Sequence, residues 1–281
     1  MQAWIGSLAA LVVTTALAAA SAQPGDQMRA QARLVSEKVA LSPGQTNYLG
    51  LTFEIEDGWH IYWQGLNDTG MPVTISLNLP PGYSQGEVQW PAPKRYISPG
   101  DILDHVYEGT VTLVIPVNVP QEASGKARFT GSAEWLVCKE ACIMEDSQIS
   151  LILPVSASDA VKPSRDAELF AKARETIPTP LPKEDPPIAF HLDGDTYEIR
   201  SKLGTQLAFF PAEDTAALKS PLRDAASKTG VLRLALDDLS PGKRLKGVIE
   251  LKRDDGGKPV YHTVELPIAD VSTPLTSPRS R

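Results

Sequence analysis

The sequence predicts an all-β protein in which two β-sandwich domains are joined by a short helix and a Pro-rich linker. Three observations carry this. Short runs rich in Val, Ile, Leu, Thr and aromatics recur along the chain, with their apolar residues alternating. Turn clusters separate the runs, and the chain holds 24 Pro and 20 Gly. One stretch breaks the alternation with helical spacing, and five prolines in ten residues follow it.

The first element is a leader. Residues 3–20 are almost wholly small and apolar. Ala20-Ser21-Ala22 has the small-x-small form of a signal peptidase site, and polar "QPGDQ" follows at once. This predicts a signal peptide over residues 1–22, removed on export. No Lys or Arg precedes the apolar run, so the alternative is a single N-terminal membrane anchor. No other window approaches the ~20 apolar residues of a membrane helix, and no stable membrane insertion is expected of the mature chain.

The first sandwich is predicted over residues 28–156. Its strand-like runs are "ARLVSEKVAL", "NYLGLTFEIE", "MPVTISLNL", "GTVTLVIPVNV", "KARFTGSAEWLV" and "SQISLILPV". Turns such as "SPGQ", "PPGYSQG" and "EASGK" punctuate them. Residues 157–187 read as the helix and linker. In "SRDAELFAKARETI" (164–177), Leu169, Phe170, Ala173 and Ile177 fall at helical spacing, with Ser164 as the expected N-cap. "PTPLPKEDPP" (178–187) then reads as a stiff extended segment. Alternation resumes over residues 188–270, the second sandwich. Residues 271–281 read as a disordered tail. No internal repeat relates the two halves.

The formal net charge is -7, from 27 basic and 34 acidic residues. That argues against nucleic acid and anionic membrane surfaces as partners. The second β-rich stretch shows no nucleophile–base set, Gly-rich phosphate loop or recognisable carboxylate pair, and no cofactor is expected of the chain.

The chemistry centres on "EWLVCKEACIMED" (134–146), which holds the only two cysteines, Cys138 and Cys142. Three uses are open. A bridge closing so short a loop is worth only ~2 kcal/mol in loop entropy, so a purely structural staple uses the pair poorly. The two thiolates could hold a soft ion such as Cu(I), helped by Met144 or by His60, His105, His191 or His262; no His is near the pair in sequence. A redox pair is the third, because two close sulfurs can form and resolve a mixed disulfide. Lys139 favours a thiolate there; Glu134, Glu140, Glu145 and Asp146 oppose it.

Nearby residues are candidates for shielding the pair or receiving a partner. In "GWHIYW" (58–63), alternation puts Trp59, Ile61 and Trp63 on one face and His60 and Tyr62 on the other. His60 and Tyr62 either sit at a core strand edge or line the thiols. "NDTGMP" (67–72), with Asp68, has the composition of an exposed turn; a plain loop is favoured over a cover for the bridge. Trp135, three residues before Cys138, reads as a packing residue that could still influence access.

In order along the chain, "GWHIYWQGLNDTGMPVTISLNLPPGY", "VQWPAPKRY", "HVYEGTVTLVIPV" and "AEWLVCKEACIMED" resemble the N-terminal periplasmic domain of DsbD-type protein-disulfide reductases. The likeness is closest to the suppressor-of-copper-sensitivity branch, where "AFFPAE" (208–213) also has a counterpart. The resemblance implies an immunoglobulin-like fold for the sandwiches and a redox-active Cys138/Cys142 pair; the match does not settle which thiol attacks first, and Cys142 is our expectation for the partner-facing one. It also implies a periplasmic location. Implied partners are periplasmic thiol-disulfide proteins: a membrane reductase, or a disulfide isomerase-like or thioredoxin-like protein. The family's membrane and thioredoxin-like domains have no counterpart here. The chain is therefore expected to act as a free-standing exchange module rather than a complete reductase, with copper(I) binding or a static bridge as alternatives.

Overall fold

The computed structural model describes residues 28–157, 161–204, 206–221, 225–237, 239–240 and 242–268. The expected signal peptide and C-terminal tail lie outside these residues.

Ten strands form the first unit. In chain order they are β1 (Ala30–Ser36), β2 (Thr46–Ile55), β3 (His60–Tyr62), β4 (Thr74–Asn78), β5 (Ser84–Gln85), β6 (Lys94–Ser98), β7 (Ile102–Tyr107), β8 (Thr110–Asn118), β9 (Lys126–Cys138) and β10 (Cys142–Pro154). One sheet has the order β1-β2-β8-β5. The other runs β10-β9-β3-β7-β6, with β4 also paired to β9. Alternation explains what lies between them. Leu49, Leu51, Phe53, Leu113 and Ile115 from the first sheet meet Ile61, Trp63, Phe129, Trp135 and Val137 from the second. Burying each such side chain stabilises the fold by roughly 1.5–3 kcal/mol.

The helix is shorter than its sequence pattern. It spans α1 (Ala167–Arg174). Thr176 and Ile177 both donate to the Ala173 carbonyl, closing the last turn, and Pro178 disfavours helical backbone before it. Ser164 is not the N-cap; Asp166 occupies that position. The Ser164 hydroxyl instead accepts from Asp166 N and donates to the Ser36 carbonyl, tying the segment to β1. Phe170 and Ala173 pack on Val35 and Val114, so the helix covers the outer face of the four-stranded sheet.

The second unit adds β11 (Thr179–Pro180), β12 (Ile188–Asp193), β13 (Thr196–Ser201), β14 (Gln206–Pro211), β15 (Ala226–Ser227), β16 (Val231–Ala235), β17 (Arg244–Lys252) and β18 (Val260–Pro267). Its sheets are β11-β18-β17-β14-β15 and β12-β13-β16. Ile199, Leu232 and Leu234 of one pack with Phe209, Ile249 and Leu251 of the other. The Pro-rich stretch is not wholly a spacer, because Thr179 and Pro180 pair in parallel with His262 and Thr263. Pro is tolerated on such an edge, where no N–H is needed.

The units touch through "AFFPAE". Successive residues of a strand point to opposite faces. Phe209 enters the second core, and Phe210 packs with the first. The Phe210 ring lies 6.3 Å from Trp63 and 5.6 Å from His105, centre to centre. Leu66 N donates to the Pro211 carbonyl at 2.9 Å beside them.

Candidate thiol–disulfide site

The cysteines close the tip of the longest hairpin. β9 and β10 pair over thirteen positions, and the last pair is Cys138 opposite Cys142. Lys139, Glu140 and Ala141 make the turn, with Lys139 N donating to the Ala141 carbonyl. The two Cα atoms are 4.2 Å apart and the sulfurs are bonded.

The two sulfur residues differ in access. Cys138 is 3% exposed, whereas Cys142 is exposed at the strand's start. Cys138 gains cover from β3, whose His60 is its register partner on the side away from Cys142. Alternation along β3 sends Ile61 and Trp63 into the main core and leaves His60 and Tyr62 on the sulfur side. Tyr62, Val106 and Cys138 form a small buried cluster, with Tyr96 and Leu136 against it. Tyr62 Oη lies 4.0 Å from Cys142 Sγ and 3.3 Å from His60 Nε2. The His60 ring rests 4.5 Å from that of Tyr96, centre to centre.

Burial sets the charge states here. It pushes the Tyr62 phenol up to about 12, helped by the Asp104 carboxylate and opposed by the Thr69 hydroxyl. Burial lowers His60 below its usual value, with Asp104 and Glu108 pulling the other way. Both side chains are therefore neutral near pH 7.

The "NDTG" turn is clamped rather than loose. Asn67 Oδ1 accepts from His105 N at 2.7 Å. Asp68 Oδ2 accepts from Leu103 N at 2.7 Å, and Asp68 N donates to the Leu103 carbonyl. Thr69 donates to the buried Asp104 carboxylate twice, from N at 3.0 Å and Oγ1 at 2.7 Å. Gly70 then lies flat on the Tyr62 ring; a Cβ there would stand 1.9 Å from ring carbons. So the loop reaches the disulfide through Tyr62. Asp68 itself is exposed and anchors the loop to β7; it does not touch the sulfurs.

Trp135 is not brought to the pair. It shares the core-facing side of β9 with Val137, opposite to Cys138, and is 1% exposed. Its ring meets Phe53 edge-on, and its Nε1 donates to Glu145. Glu145 also accepts from Arg29 N and Ala30 N, which ties the start of β1 to β10. Thr69 and Gly70 fall in the "NDTGMP" stretch, where the sequence favours a plain loop over a cover. Asp104 and Tyr96 are the site residues the sequence did not reveal. Their partners lie on other strands, with no local spacing to mark them.

No group of three or more His, Cys, Asp or Glu suited to a metal ion occurs among the described residues. His105 lies against Phe210, His191 is exposed on β12, and His262 sits beside Thr179. Only His60 stands near the cysteines. No described helix is long and apolar enough to cross a membrane.

Residues 31–154 match the family model of the N-terminal domain of the thiol:disulfide interchange protein DsbD. This segment is a DsbD N-terminal domain. No curated protein matches the chain. Among solved structures, the N-terminal periplasmic domain of ScsB from Proteus mirabilis aligns at a TM-score of 0.52 and 16% identity. The alignment covers 85% of this chain and 92% of that one. At that identity it establishes the fold: all-β and immunoglobulin-like, continuing past the DsbD segment. The major pilin subunit BcpA of Bacillus cereus aligns at a TM-score of 0.24, with 8% identity over 86% of this chain and 67% of that one. The E. coli chaperone DraB aligns at 0.22, with 13% identity over 84% and 98%. Both are too distant to place any feature of the site. The DsbD segment holds the cysteine hairpin, β3, the "NDTG" loop and Asp104, and it supports a thiol–disulfide exchange module in general terms.

Proposed function

We infer that this protein is an exported, periplasmic exchange module that passes electrons through the Cys138/Cys142 pair, to or from other thiol-disulfide proteins. One observation carries this: the bridge joins a buried Cys138 to an exposed Cys142 at an otherwise accessible hairpin tip. A partner thiolate attacks the sulfur it can reach. Cys142 therefore enters the mixed disulfide, and Cys138 leaves as the second thiolate. In the reverse direction Cys142 attacks a partner's disulfide and Cys138 resolves the product.

The surroundings suit a protein partner. Exposed Ile143 and Met144 follow Cys142, and exposed Met71 follows Gly70 in the loop on Tyr62. Apolar side chains at an accessible tip are desolvated only when another surface covers them, and Met adapts to varied partners. A thioredoxin-like or isomerase-like protein, or a membrane reductase, fits this role.

The test is the potential of the pair, measured by equilibrating the protein with glutathione buffers. A value above about -300 mV is expected for an exchanging pair. A value well below it marks a structural bridge and removes the exchange role.

A further inference from the structure

Exchange at Cys142 moves a proton as well as a sulfur bond. The thiolate is the nucleophile, and an ordinary thiol near 8.5 supplies little of it at pH 7. A proton acceptor must therefore be within reach of Sγ. Tyr62 Oη is 4.0 Å from Cys142 Sγ, and His60 Nε2 is 3.3 Å from Tyr62 Oη. The Thr69 hydroxyl donates to Asp104 Oδ2 at 2.7 Å beside them.

We propose that Tyr62 and His60 form the proton route of the Cys142 thiol, in which Tyr62 touches the sulfur and His60 receives the proton through it. This rests on Cys142 being the exchanging thiol. In the attacking direction the Cys142 S–H proton passes to Tyr62 Oη as the phenol proton passes to His60 Nε2. The sulfur's electron pair forms a new bond to one sulfur of the partner's disulfide. The partner's other sulfur leaves as a thiolate with the electrons of the broken bond. Cys142 is oxidised, the partner is reduced, and His60 ends as imidazolium. Reversal returns the proton to Cys142.

The surroundings assign the two roles. The phenol, pushed up to about 12, hands on a proton without lingering as a phenolate. His60 stays neutral and able to accept, because burial lowers it. The groups that face or influence His60 are Tyr62 on its own strand, Tyr96 from β6, Asp104 and Glu108 from β7 and its end, and Cys138 from β9. Lys139 lies over nearby Gly58, where a Cβ would stand 3.0 Å from Nζ. Burial, the largest influence, disfavours an imidazolium at His60, and the two carboxylates favour it.

The experiment is alkylation of the fully reduced protein by iodoacetamide across the neutral pH range, with peptide mapping to assign each cysteine. In the wild type Cys142 should react first. Tyr62→Phe and His60→Gln should each slow it at least roughly tenfold at pH 7 and move its profile to higher pH. The exposed-site control His191→Gln should match the wild type. A second reading avoids substitution altogether. Coupling between sites is reciprocal, so the NMR titration of His60 must differ between oxidised and reduced wild type. The other three histidines should titrate alike in both states. An unchanged profile in both variants, or one His60 titration in both redox states, overturns the proton route and leaves the exchange role standing. A shift in Tyr62→Phe alone overturns His60 as the receiver. First reaction at Cys138 overturns the assignment of Cys142, and this proposal with it.

Discussion

Gly70 shows how one missing methyl shapes the site. Its Cα rests on the Tyr62 ring with no room for a Cβ. Gly70→Ala should therefore push the loop or the ring away from the sulfurs. We expect a loss of about 1–3 kcal/mol in chemical denaturation, as for other overpacked sites, and faster reduction of the bridge by dithiothreitol. Unchanged reduction kinetics would mean the loop does not control access. Asp104 is the second such residue, since it is buried and accepts both donors of Thr69. Asp104→Asn keeps one acceptor oxygen and replaces the other with a donor. Leaving a buried donor unmatched should cost about 1–3 kcal/mol, read in the same denaturation assay. At this scale the sequence was partly legible. Alternation alone put His60 and Tyr62 on one face and Ile61 and Trp63 on the other. The bond from Thr69 to Asp104 was not visible, because 35 positions separate them and only the fold brings them together.

The elements explain why a short-range disulfide is exposed on one sulfur only. β9 has neighbours on both sides, with β3 covering Cys138, while β10 is the sheet's edge and leaves Cys142 open. The "NDTG" loop bonds to β7 through Asn67, Asp68 and Thr69 in succession. Loosening one link should expose Tyr62 more than it unfolds the sheet. Asp68→Ala is thus expected to speed reduction of the bridge with a smaller loss of stability than Asp104→Asn. Equal stability losses would place Asp68 in the fold rather than the loop. Alternating runs marked β2, β8 and β9 closely. The β6–β7 hairpin went unread, although Pro99-Gly100-Asp101 is a turn signal whose Gly and Asp take positive φ of 94° and 61°. "KRYIS" is polar at its start and only half-buried, so its alternation is faint. The helix pattern extended past its true end because Ile177 packs beside the helix without belonging to it.

Across the whole molecule, the second unit braces the first behind the loop. His105 is buried between Trp63 and Phe210 and donates through Nδ1 to the Leu66 carbonyl; its Nε2 has no protein partner. Burial pulls its value down from 6.5 to about 4, with Arg95 adding to this and the Leu66 bond, Asp104 and Asp68 opposing it. The folded state therefore keeps His105 neutral where the unfolded chain binds a proton. Stability from this residue is complete above pH 6.5 and is lost as pH falls towards 4, by up to about 3 kcal/mol. Urea denaturation across that window should show the loss, and His105→Gln should flatten it; an equal slope in both proteins would remove His105 as the cause. The sequence divided the chain into β-rich units, but it gave no sign that "AFFPAE" sends one Phe into each core. The central claim is that this scaffold presents Cys142, and not Cys138, to a partner. Its most direct test is mixed-disulfide formation by the Cys138→Ser and Cys142→Ser variants with a thioredoxin-like protein that keeps only its exposed cysteine, activated as a thionitrobenzoate disulfide so that thionitrobenzoate is the leaving group. The account predicts a fast, stable adduct for Cys138→Ser and little for Cys142→Ser; equal adducts, or the reverse order, would contradict it.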